Sequence, residues 1–563
     1  MKHHRMLPTL TATVLLAVPV GQWTVNTQAP QPDTDVTLLG EPVDVDLTER
    51  RIQANAHYAA GISRHAKGEI EASAQELIQA IQTDPGNVAL VLRVSEKLLE
   101  WNLAALSLQA LKTAIQQENP PVELLVRKGE ALRALGQEPE ALAAFTEAIK
   151  ISPGNTQARR EIVTARLKAK EVETALSLVR DGVALPSLNG KQLVGLVGLY
   201  LQCLATSPDL LATVSPELEK LLERTQNFEL DAPEDKILLA DGFTFAGELG
   251  IAQQLLRDVL NMAPETTMAR EKLVGLYLRD GKTELAVEQL ETLLSINPRN
   301  ASTHYLLGSI ATENQAYEEA ISHYGKVIEI QPEFEPLYYE ISGLHLNNRQ
   351  PRQALEILTR ARIRFPKRFQ GEFYTGIALA SLSRTKEALN HLIEAEKIAT
   401  KQAPQRLTPF FYFQLGSMHE RNGNYTTAEQ KFLKSLETNP DNPVTLNYLG
   451  YMWAEQGKKL RQASEWIQRA LELAPENPAI QDSMGWVLYQ QGNHKQALFH
   501  LLNAEAGLEQ ADPVILDHLG DTYNALGDND KAIEAWKRSL ELEFNDKIFR
   551  KLKELEQDSS ASS

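Results

Sequence analysis

The sequence predicts an all-α protein in which antiparallel helix pairs stack into an α-solenoid of about thirteen units. Three position classes predict this fold, because each returns every 34 residues over a long part of the chain. An ordinary helical bundle has no such fixed step. The classes are alanine (Ala252, Ala286, Ala320, Ala354, Ala388), proline (Pro264, Pro298, Pro332, Pro366) and small residues (Gly308, Ser342, Gly376).

The step resumes after an insertion of six residues near Lys401–Thr408. Two position classes continue it at intervals of 34 or 35 residues. They are alanine (Ala428, Ala463, Ala497, Ala532) and glycine (Gly416, Gly450, Gly485, Gly520). The repeat therefore extends almost to the end of the chain.

Each unit reads as two helices joined by a tight turn. In residues 301–334, Leu307 and Ala311 mark one apolar stripe, and Ala320, Tyr324 and Val327 mark a second, both at helical spacing. Position 15 of the unit, between the stripes, is often glycine, which favours the left-handed backbone that ends many helices. These glycines are Gly247, Gly281, Gly423, Gly457, Gly492 and Gly527.

The recurring small residues have a steric explanation. Two helices joined by a short turn approach closely only if their crossing points carry glycine, alanine or serine. A larger side chain at Gly308, Ala320 or Ala354 would overpack the pair, at a cost of about 1–3 kcal/mol. We therefore expect these residues to face the partner helix within each unit.

These motifs resemble the tetratricopeptide repeat (TPR) family. The resemblance is clear in Leu415-Gly416, His419, Ala428, Phe432, Ser435 and Pro440, and again in Leu519-Gly520, Tyr523, Ala532, Trp536 and Ser539. Phe544 stands where the second of these units should have its proline. The resemblance covers about residues 54–186 and 233–546, and it implies a right-handed superhelix with a concave groove that binds proteins.

The predicted organisation has two arrays on either side of an irregular connector, which allows a bend between two arms. Within the connector, Ser207-Pro208 and Ser215-Pro216 each read as a helix start. The segments are a signal peptide (1–29), a flexible leader (30–53), a partly degenerate first array (54–186), the connector (187–232), a second array (233–546), and a capping helix with a disordered tail (547–563).

The amino terminus is typical of an export signal. Lys2 and Arg5 precede the apolar run Leu7–Gly21, and small residues follow at Thr27–Ala29. A frayed apolar tail of a cytoplasmic protein is the alternative. Beyond this point no stretch approaches 18 apolar residues, so no stable membrane span is expected. We expect an exported protein, periplasmic or secreted.

Composition excludes several classes of function. There are 57 basic and 74 acidic residues, a formal charge of 57 − 74 = −17, which argues against nucleic-acid binding. The single cysteine, Cys203, excludes an internal disulfide and a thiolate metal cluster. It lies in an apolar stretch and is expected to be a buried small side chain.

Aromatic residues mark a candidate partner-binding groove. The family resemblance places positions 2, 5, 9, 12 and 13 of each first helix on the concave face. Aromatic side chains there would give large contact areas to a peptide. Packing against the neighbouring unit is the alternative. The candidates at position 5 are Tyr305, Tyr339, Phe373 and Phe413, and those at positions 9 or 12 are Tyr451, Trp486 and Tyr489.

The last units are acidic. Between residues 477 and 530, eight acidic residues accompany a single lysine. Three of them, Asp482, Asp517 and Asp521, map to the same face and could steer a basic partner segment. A solvated acidic surface is the alternative.

Catalytic signals are absent from the sequence. No pair of histidines has zinc-protease spacing, and Gly281 belongs to a turn rather than a phosphate loop. His518 beside Asp517 and Asp521 suggests either a metal cluster or ordinary polar neighbours on an exposed helix. Position 5 is never lysine in the regular array, so the clamp that holds the carboxyl termini of heat-shock chaperones is not expected. No cofactor is expected.

The sequence thus favours a non-enzymatic scaffold that binds proteins or peptides in a concave groove, and the resemblance extends to bacterial multi-TPR envelope proteins. The alternative is an obligate assembly or regulatory subunit of an envelope enzyme complex, such as a protease, a cell-wall enzyme or a secretion machine. An enzyme in its own right would need a separate domain, and 187–232 is too short for one. The oligomeric state and the partner are not encoded in these patterns.

Overall fold

The computed structural model of the protein describes residues 45–116 and 120–561, and within these ranges it contains helices and no β-strand. The chain divides into two compact units after Phe228. The first unit contains α1 (Val45–Ala66), α2 (Ile70–Thr83), α3 (Val88–Glu100), α4 (Ala104–Ile115), α5 (Val122–Ala134), α6 (Glu138–Ile151), α7 (Thr156–Lys168), α8 (Val172–Val183), α9 (Gly190–Thr206) and α10 (Leu211–Thr225).

The second unit begins at Glu229 and contains nine helix pairs and a final helix. They are α11 (Pro233–Phe245), α12 (Leu249–Met262), α13 (Thr267–Arg279), α14 (Thr283–Ile296), α15 (Ala301–Glu313), α16 (Tyr317–Ile330), α17 (Glu335–Asn347), α18 (Pro351–Arg364), α19 (Phe369–Ser381), α20 (Thr385–Gln402), α21 (Pro409–Arg421), α22 (Tyr425–Thr438), α23 (Pro443–Glu455), α24 (Leu460–Leu473), α25 (Pro478–Gln490), α26 (His494–Ala506), α27 (Pro513–Ala525), α28 (Asn529–Leu542) and α29 (Asp546–Ala561).

Each odd-numbered helix up to α27 packs against the even-numbered helix that follows it, so each of the two units is all-α and built from helix pairs. Thirteen pairs correspond to the predicted units, and α9 with α10 forms a further pair from the predicted connector. Buried alanine, leucine and aromatic side chains fill the space within and between the pairs. The predicted fold class is confirmed.

The turns inside the pairs confirm the role predicted for position 15. In each of the thirteen units one residue of this turn has a positive φ between 55° and 85°. Eight are glycines, including all six that the sequence singled out. The other five are Asn102, Lys170, Gln315, Arg349 and Ser383, with φ between 55° and 63°.

The small residues lie where the two helices of a pair cross. A Cβ on Gly308 would lie 2.5 Å from Tyr324, and one on Gly520 would lie 2.4 Å from Trp536. A Cβ on Gly416 would likewise lie 2.8 Å from Phe432. Ala320 and Ala354 are fully buried. Glycine thus makes room for a large side chain of the second helix.

The structure corrects three details of the sequence prediction. Helix α1 begins at Val45, so the last nine residues of the predicted leader are helical rather than flexible. Pro216 lies inside α10 and does not start a helix, whereas Pro208 opens a short 3-10 turn at 208–210 as expected. The final helix continues to Ala561, through most of the predicted tail. The predicted signal peptide lies outside the described residues.

Cys203 is fully buried in α9, and burial raises the pKa of its thiol to about 11. It is therefore the small buried side chain that the sequence predicted, with little thiolate at neutral pH.

Within the described ranges, no single helix has the length and apolar character needed to cross a bilayer. One pair, Gly190–Thr206 with Pro208–Thr225, reaches that length and composition only when its two parts, which meet at a bend of 120°, are taken together.

Candidate partner-binding face

Successive first helices of the second unit contact one another at α17 and α19, α23 and α25, and α25 and α27. We call the side chains at positions 2, 5, 9, 12 and 13 of helices α15, α17, α19, α21, α23, α25 and α27 the first-helix face. All ten residues predicted to bind a partner lie on it. The face and the side chains that contact it form two parts, an aromatic segment on α15–α21 and a charged segment on α23–α29.

The four aromatic residues at position 5 of the aromatic segment differ in exposure. Tyr305 is 37% exposed, whereas Tyr339 is 6% exposed and Phe373 and Phe413 are half-buried. Tyr339 therefore fits the packing alternative rather than the predicted groove lining. Burial, together with a hydrogen bond to Glu335, raises the pKa of the Tyr339 hydroxyl.

Phe373 is the centre of an aromatic cluster. Its ring centroid lies 5.4 Å from that of Phe369, 5.7 Å from that of Phe411 and 6.2 Å from that of Phe410. Edge and offset contacts of this kind add to the stabilisation that burial gives. Phe413 in turn contacts Phe432 and Tyr448 at 5.8 and 5.3 Å.

In the charged segment, Asp482 and His518 form a buried ion pair. Nδ1 of His518 lies 2.8 Å from Oδ1 of Asp482, and both side chains are almost fully buried. The imidazole stacks on Trp486 at 4.1 Å, and Trp486 stacks on Tyr489 at 5.0 Å. Tyr451 lies at the edge of this stack, 6.4 Å from His518.

The final helix supplies one cation to two further carboxylates of the segment. Nζ of Lys551 on α29 lies 2.9 Å from Asp517 and 2.7 Å from both oxygens of Asp521. Ile548 and Leu552 anchor α29 against Trp536. Asp482, Asp517 and Asp521 are therefore bound within the chain, and the prediction that they attract a basic partner is not supported by their contacts.

The ionisation of this network follows from burial and charge. Burial alone would lower the pKa of His518, but the charge and hydrogen bond of Asp482 outweigh it and raise that pKa. Burial raises the pKa of Asp521, Asp517 adds to the effect, and Lys551 opposes it. His518 is thus protonated more readily than an ordinary histidine and is buried, in contrast to the exposed polar residue that the sequence suggested.

Other acidic residues of the last units also have partners in the chain. Arg538 binds Glu505 at 2.8 Å, Lys531 binds Asp528 at 2.7 Å, and Asp512 caps the amino terminus of α27. No group of three or more histidine, cysteine, aspartate or glutamate residues could hold a metal ion in the part of the chain that the structure describes. The metal alternative for His518 therefore has no ligand set there.

Sequence reasoning missed a polar clamp at position 4 of the first helix. In five units this side chain donates a hydrogen bond to the carbonyl of the proline six residues earlier, at 2.7–3.2 Å. The clamp ties each of these five first helices to the loop from the preceding unit. Its donors are Arg159, Arg270, His304, Tyr338 and Gln481.

In five units, not all of them the same, the side chain at position 4 hydrogen-bonds to the side chain at position 23, on the second helix. The constant separation of 19 residues is a signal that the sequence contains. The pairs are His57–Glu76, Arg270–Gln289, His304–His323, Glu372–His391 and Gln481–His500, at 2.5–3.0 Å.

The histidine pair among these clamps is sensitive to protonation. Nδ1 of His304 lies 3.0 Å from Nδ1 of His323, and Nε2 of His304 lies 3.2 Å from the carbonyl oxygen of Pro298. Because Nε2–H donates to that carbonyl, Nδ1 of neutral His304 accepts from Nδ1–H of His323. Burial, and next the charge of His304, lower the pKa of His323.

An exposed apolar row at position 2 was also missed. Phe410 is 58% exposed, Val444 is 52% exposed and Val514 is 49% exposed, and all three lie in the first turn of a first helix. The repeat register predicts that these residues share an edge, but their exposure depends on neighbours that the sequence does not specify.

Stacked helix pairs with one fixed register define a helical-repeat protein. Three family models described as tetratricopeptide repeat match residues 261–463, 103–156 and 515–546. The chain is a tetratricopeptide repeat protein, a fold that supports protein–protein interaction.

Two human proteins are similar to parts of the chain. Tetratricopeptide repeat protein 13 is 28% identical over 177 residues, covering 30% of this chain and 19% of that protein. Anaphase-promoting complex subunit 7 is 23% identical over 219 residues, covering 39% of this chain and 31% of that protein. The matched part therefore spans less than a third of either relative. A crystal structure of the APC/C hetero-tetramer Cut9–Hcn1 aligns with a TM-score of 0.36 and 15% identity, over 80% of this chain and 92% of that one.

Proposed function

We propose that the protein is a non-enzymatic scaffold that binds a segment of a partner protein along the first-helix face of its second unit. The observation that carries the proposal is the repetition of exposed aromatic and apolar side chains at positions 2 and 5 of first helices. Tyr305, Phe410, Val444 and Val514 are such side chains. Exposed apolar patches are typical of interaction sites.

Site-specific photo-crosslinking tests this proposal. A photoreactive phenylalanine analogue is introduced at Phe410 or Tyr305, and in separate controls at Ile363 and Phe499. The controls are 78% and 63% exposed but lie on second helices. We expect partner adducts from Phe410 and Tyr305 only. Equal adducts from the second-helix positions would exclude the first-helix face as the specific site.

We also propose that the chain is exported and works in a bacterial cell envelope. The support is the pattern of residues 1–29, in which basic residues precede an apolar run. Residues 1–40 fused to a phosphatase that is active only after export should give activity, and Leu15→Arg with Leu16→Arg should abolish it. Activity that survives these changes would contradict the proposal.

An obligate subunit of a larger assembly is the second candidate. One relative is by its name a subunit of a complex, although it matches only 39% of this chain. Native mass spectrometry of the protein purified with its partners distinguishes the two cases. A fixed stoichiometry that survives dilution favours the subunit, and dissociation with exchange among several partners favours the scaffold.

A further inference from the structure

We propose that the first-helix face from α21 to α27 takes a basic amphipathic segment, with its apolar side on the position-2 row and its lysine or arginine side chains at Glu420 and Glu455. This inference rests on the proposed function, because it names the chemistry of the partner that the same face would bind.

The face is apolar along one edge. Phe410, Val444 and Val514 lie at position 2 of α21, α23 and α27, and each is about half exposed. Ala479 is exposed at the same position of α25. An amphipathic partner can bury such a row, at about 25 cal/mol per Å² of apolar surface.

The opposite edge is acidic and only partly neutralised, since Glu455 faces His518 and the Tyr451 hydroxyl but no lysine or arginine of the described ranges pairs with it. Glu420 and Glu455 lie at positions 12 and 13 of α21 and α23, and neither forms an ion pair with a residue of the described ranges. Burial and then Glu455 raise the pKa of Glu420, while Arg421 opposes them. Lys551 faces two carboxylates, Asp517 and Asp521, and therefore leaves one more negative charge on this face.

On α23, helix geometry brings the two edges onto one surface. At 100° per residue, Val444, Tyr451 and Glu455 lie within about 20° of a common line, because positions 2, 9 and 13 are separated by nearly whole turns. The line is about 16 Å long at 1.5 Å per residue. This length accommodates a helix or an extended segment that crosses the face.

The middle of the face has unsatisfied polar atoms. The amide oxygen of Asn447, at position 5, and the indole N–H of Trp486, at position 9, are shielded and have no hydrogen-bond partner in the described part of the chain. Buried polar groups normally have partners, and the donors and acceptors of a bound segment can supply them.

A peptide library displayed on phage is the probe for the experiment. The whole protein is the bait, and bound peptides are sequenced and then measured against variants by fluorescence anisotropy. We expect enrichment of peptides that alternate apolar and basic residues. The double variant Glu420→Gln with Glu455→Gln should lower the affinity for these peptides about tenfold. The double variant Phe410→Ala with Val444→Ala should lower it by a similar factor.

A matched control removes the same charge elsewhere. Glu472→Gln with Glu476→Gln changes two exposed carboxylates at the second helix α24 and the loop after it, and should leave affinity unchanged. An equal loss in this control would show non-specific attraction by the acidic chain and would overturn the inference.

Two further outcomes separate this inference from the proposed function. Enriched peptides that are neutral or acidic, with affinity lost in the Phe410 and Val444 variant only, would overturn the basic partner and leave the face in place. Peptides that bind every face variant as tightly as the wild type would overturn both.

Discussion

The aromatic and charged segments are built on the same repeat but are stabilised differently. Phe373, Phe411 and Phe413 are held by ring contacts and burial. Asp482 and His518 are buried as an ion pair, and Lys551 is held by two carboxylates. The comparison shows that one backbone register accepts either an apolar or an ionic interior. It also implies that the charged segment depends more strongly on salt than the aromatic segment does.

The largest expected effect comes from removing one buried group in each segment. Phe411→Ala should lower the free energy of unfolding by about 3–5 kcal/mol through cavity formation. Asp482→Ala should cost a similar amount at pH 6, because it leaves the buried imidazolium of His518 without a counterion. Urea unfolding followed by circular dichroism measures both.

The neighbouring exposed residues are the controls. Phe410→Ala and Glu472→Ala should each change the free energy of unfolding by less than about 1 kcal/mol. If Asp482→Ala costs no more than Glu472→Ala, the charged segment does not depend on its buried ion pair.

The contributions of His518 and His323 to stability should change with pH in opposite directions. His518 has a raised folded pKa, so its stabilisation is fully present below the unfolded value of 6.5 and is lost as pH rises through the folded pKa. His323 has a lowered folded pKa, so its stabilisation is present above 6.5 and is lost as pH falls through the folded pKa. His518→Asn should therefore flatten the alkaline side of the stability profile, and His323→Asn the acidic side.

Acidic residues lie near both histidines. Glu319 and Glu291 face His323 and oppose the lowering of its pKa, while Asp482, Asp517 and Glu455 face His518. Urea midpoints between pH 4.5 and 9.5 give the profiles. The same change in slope for both variants would contradict the opposite signs.

Within the aromatic segment, Tyr339 and Tyr305 sharpen the distinction between packing and binding. Tyr339→Ala should lower the unfolding free energy by about 2–4 kcal/mol, because the ring is buried. Tyr305→Ala should cost less than about 1 kcal/mol and should weaken partner binding with the fold intact. Thermal unfolding and the crosslinking yield together measure this, and a stable Tyr339→Ala protein that fails to bind would reverse the two roles.

The smallest expected effect is at Lys551. Its side chain is partly exposed, so solvent screens its ion pairs, and Lys551→Met should cost about 1 kcal/mol or less. Hydrogen exchange should be faster in α29 and unchanged in α21. Because Ile548 and Leu552 remain packed, α29 should stay helical, and loss of that helix would show that Lys551 contributes more than the apolar contacts.

The sequence predicted the fold well because its strongest signals are steric. Gly308 and Gly520 face large rings at helix crossings, and Gly281 adopts the left-handed turn, as their spacing indicates. The helix in residues 45–53 was missed because a polar amphipathic segment with few large apolar residues resembles a leader. Pro216 was misread because proline is also tolerated in the first turn of a helix, and α10 begins only five residues earlier.

The site was predicted less completely than the fold. Register alone placed Tyr305 and Tyr339 at equivalent positions, but their exposure differs because Tyr339 is covered by the following unit, through Tyr374. The pairing of Asp517 with Lys551 spans 34 residues, one full repeat, so the signal was present in the sequence. It was missed because the sequence analysis assigned α29 only a capping role and did not consider that its side chains contact residues of the face.

The five non-glycine residues at the left-handed turns are positions where a substitution could raise the stability of the fold. Asn102, Lys170, Gln315, Arg349 and Ser383 adopt a backbone that disfavours a Cβ by roughly 1–2 kcal/mol, less for asparagine. Glycine would relieve that strain in the folded state, although it also gains freedom in the unfolded chain. These hairpins, spread over both units, are thus places where glycine can be tested for added stability without changing the first-helix face.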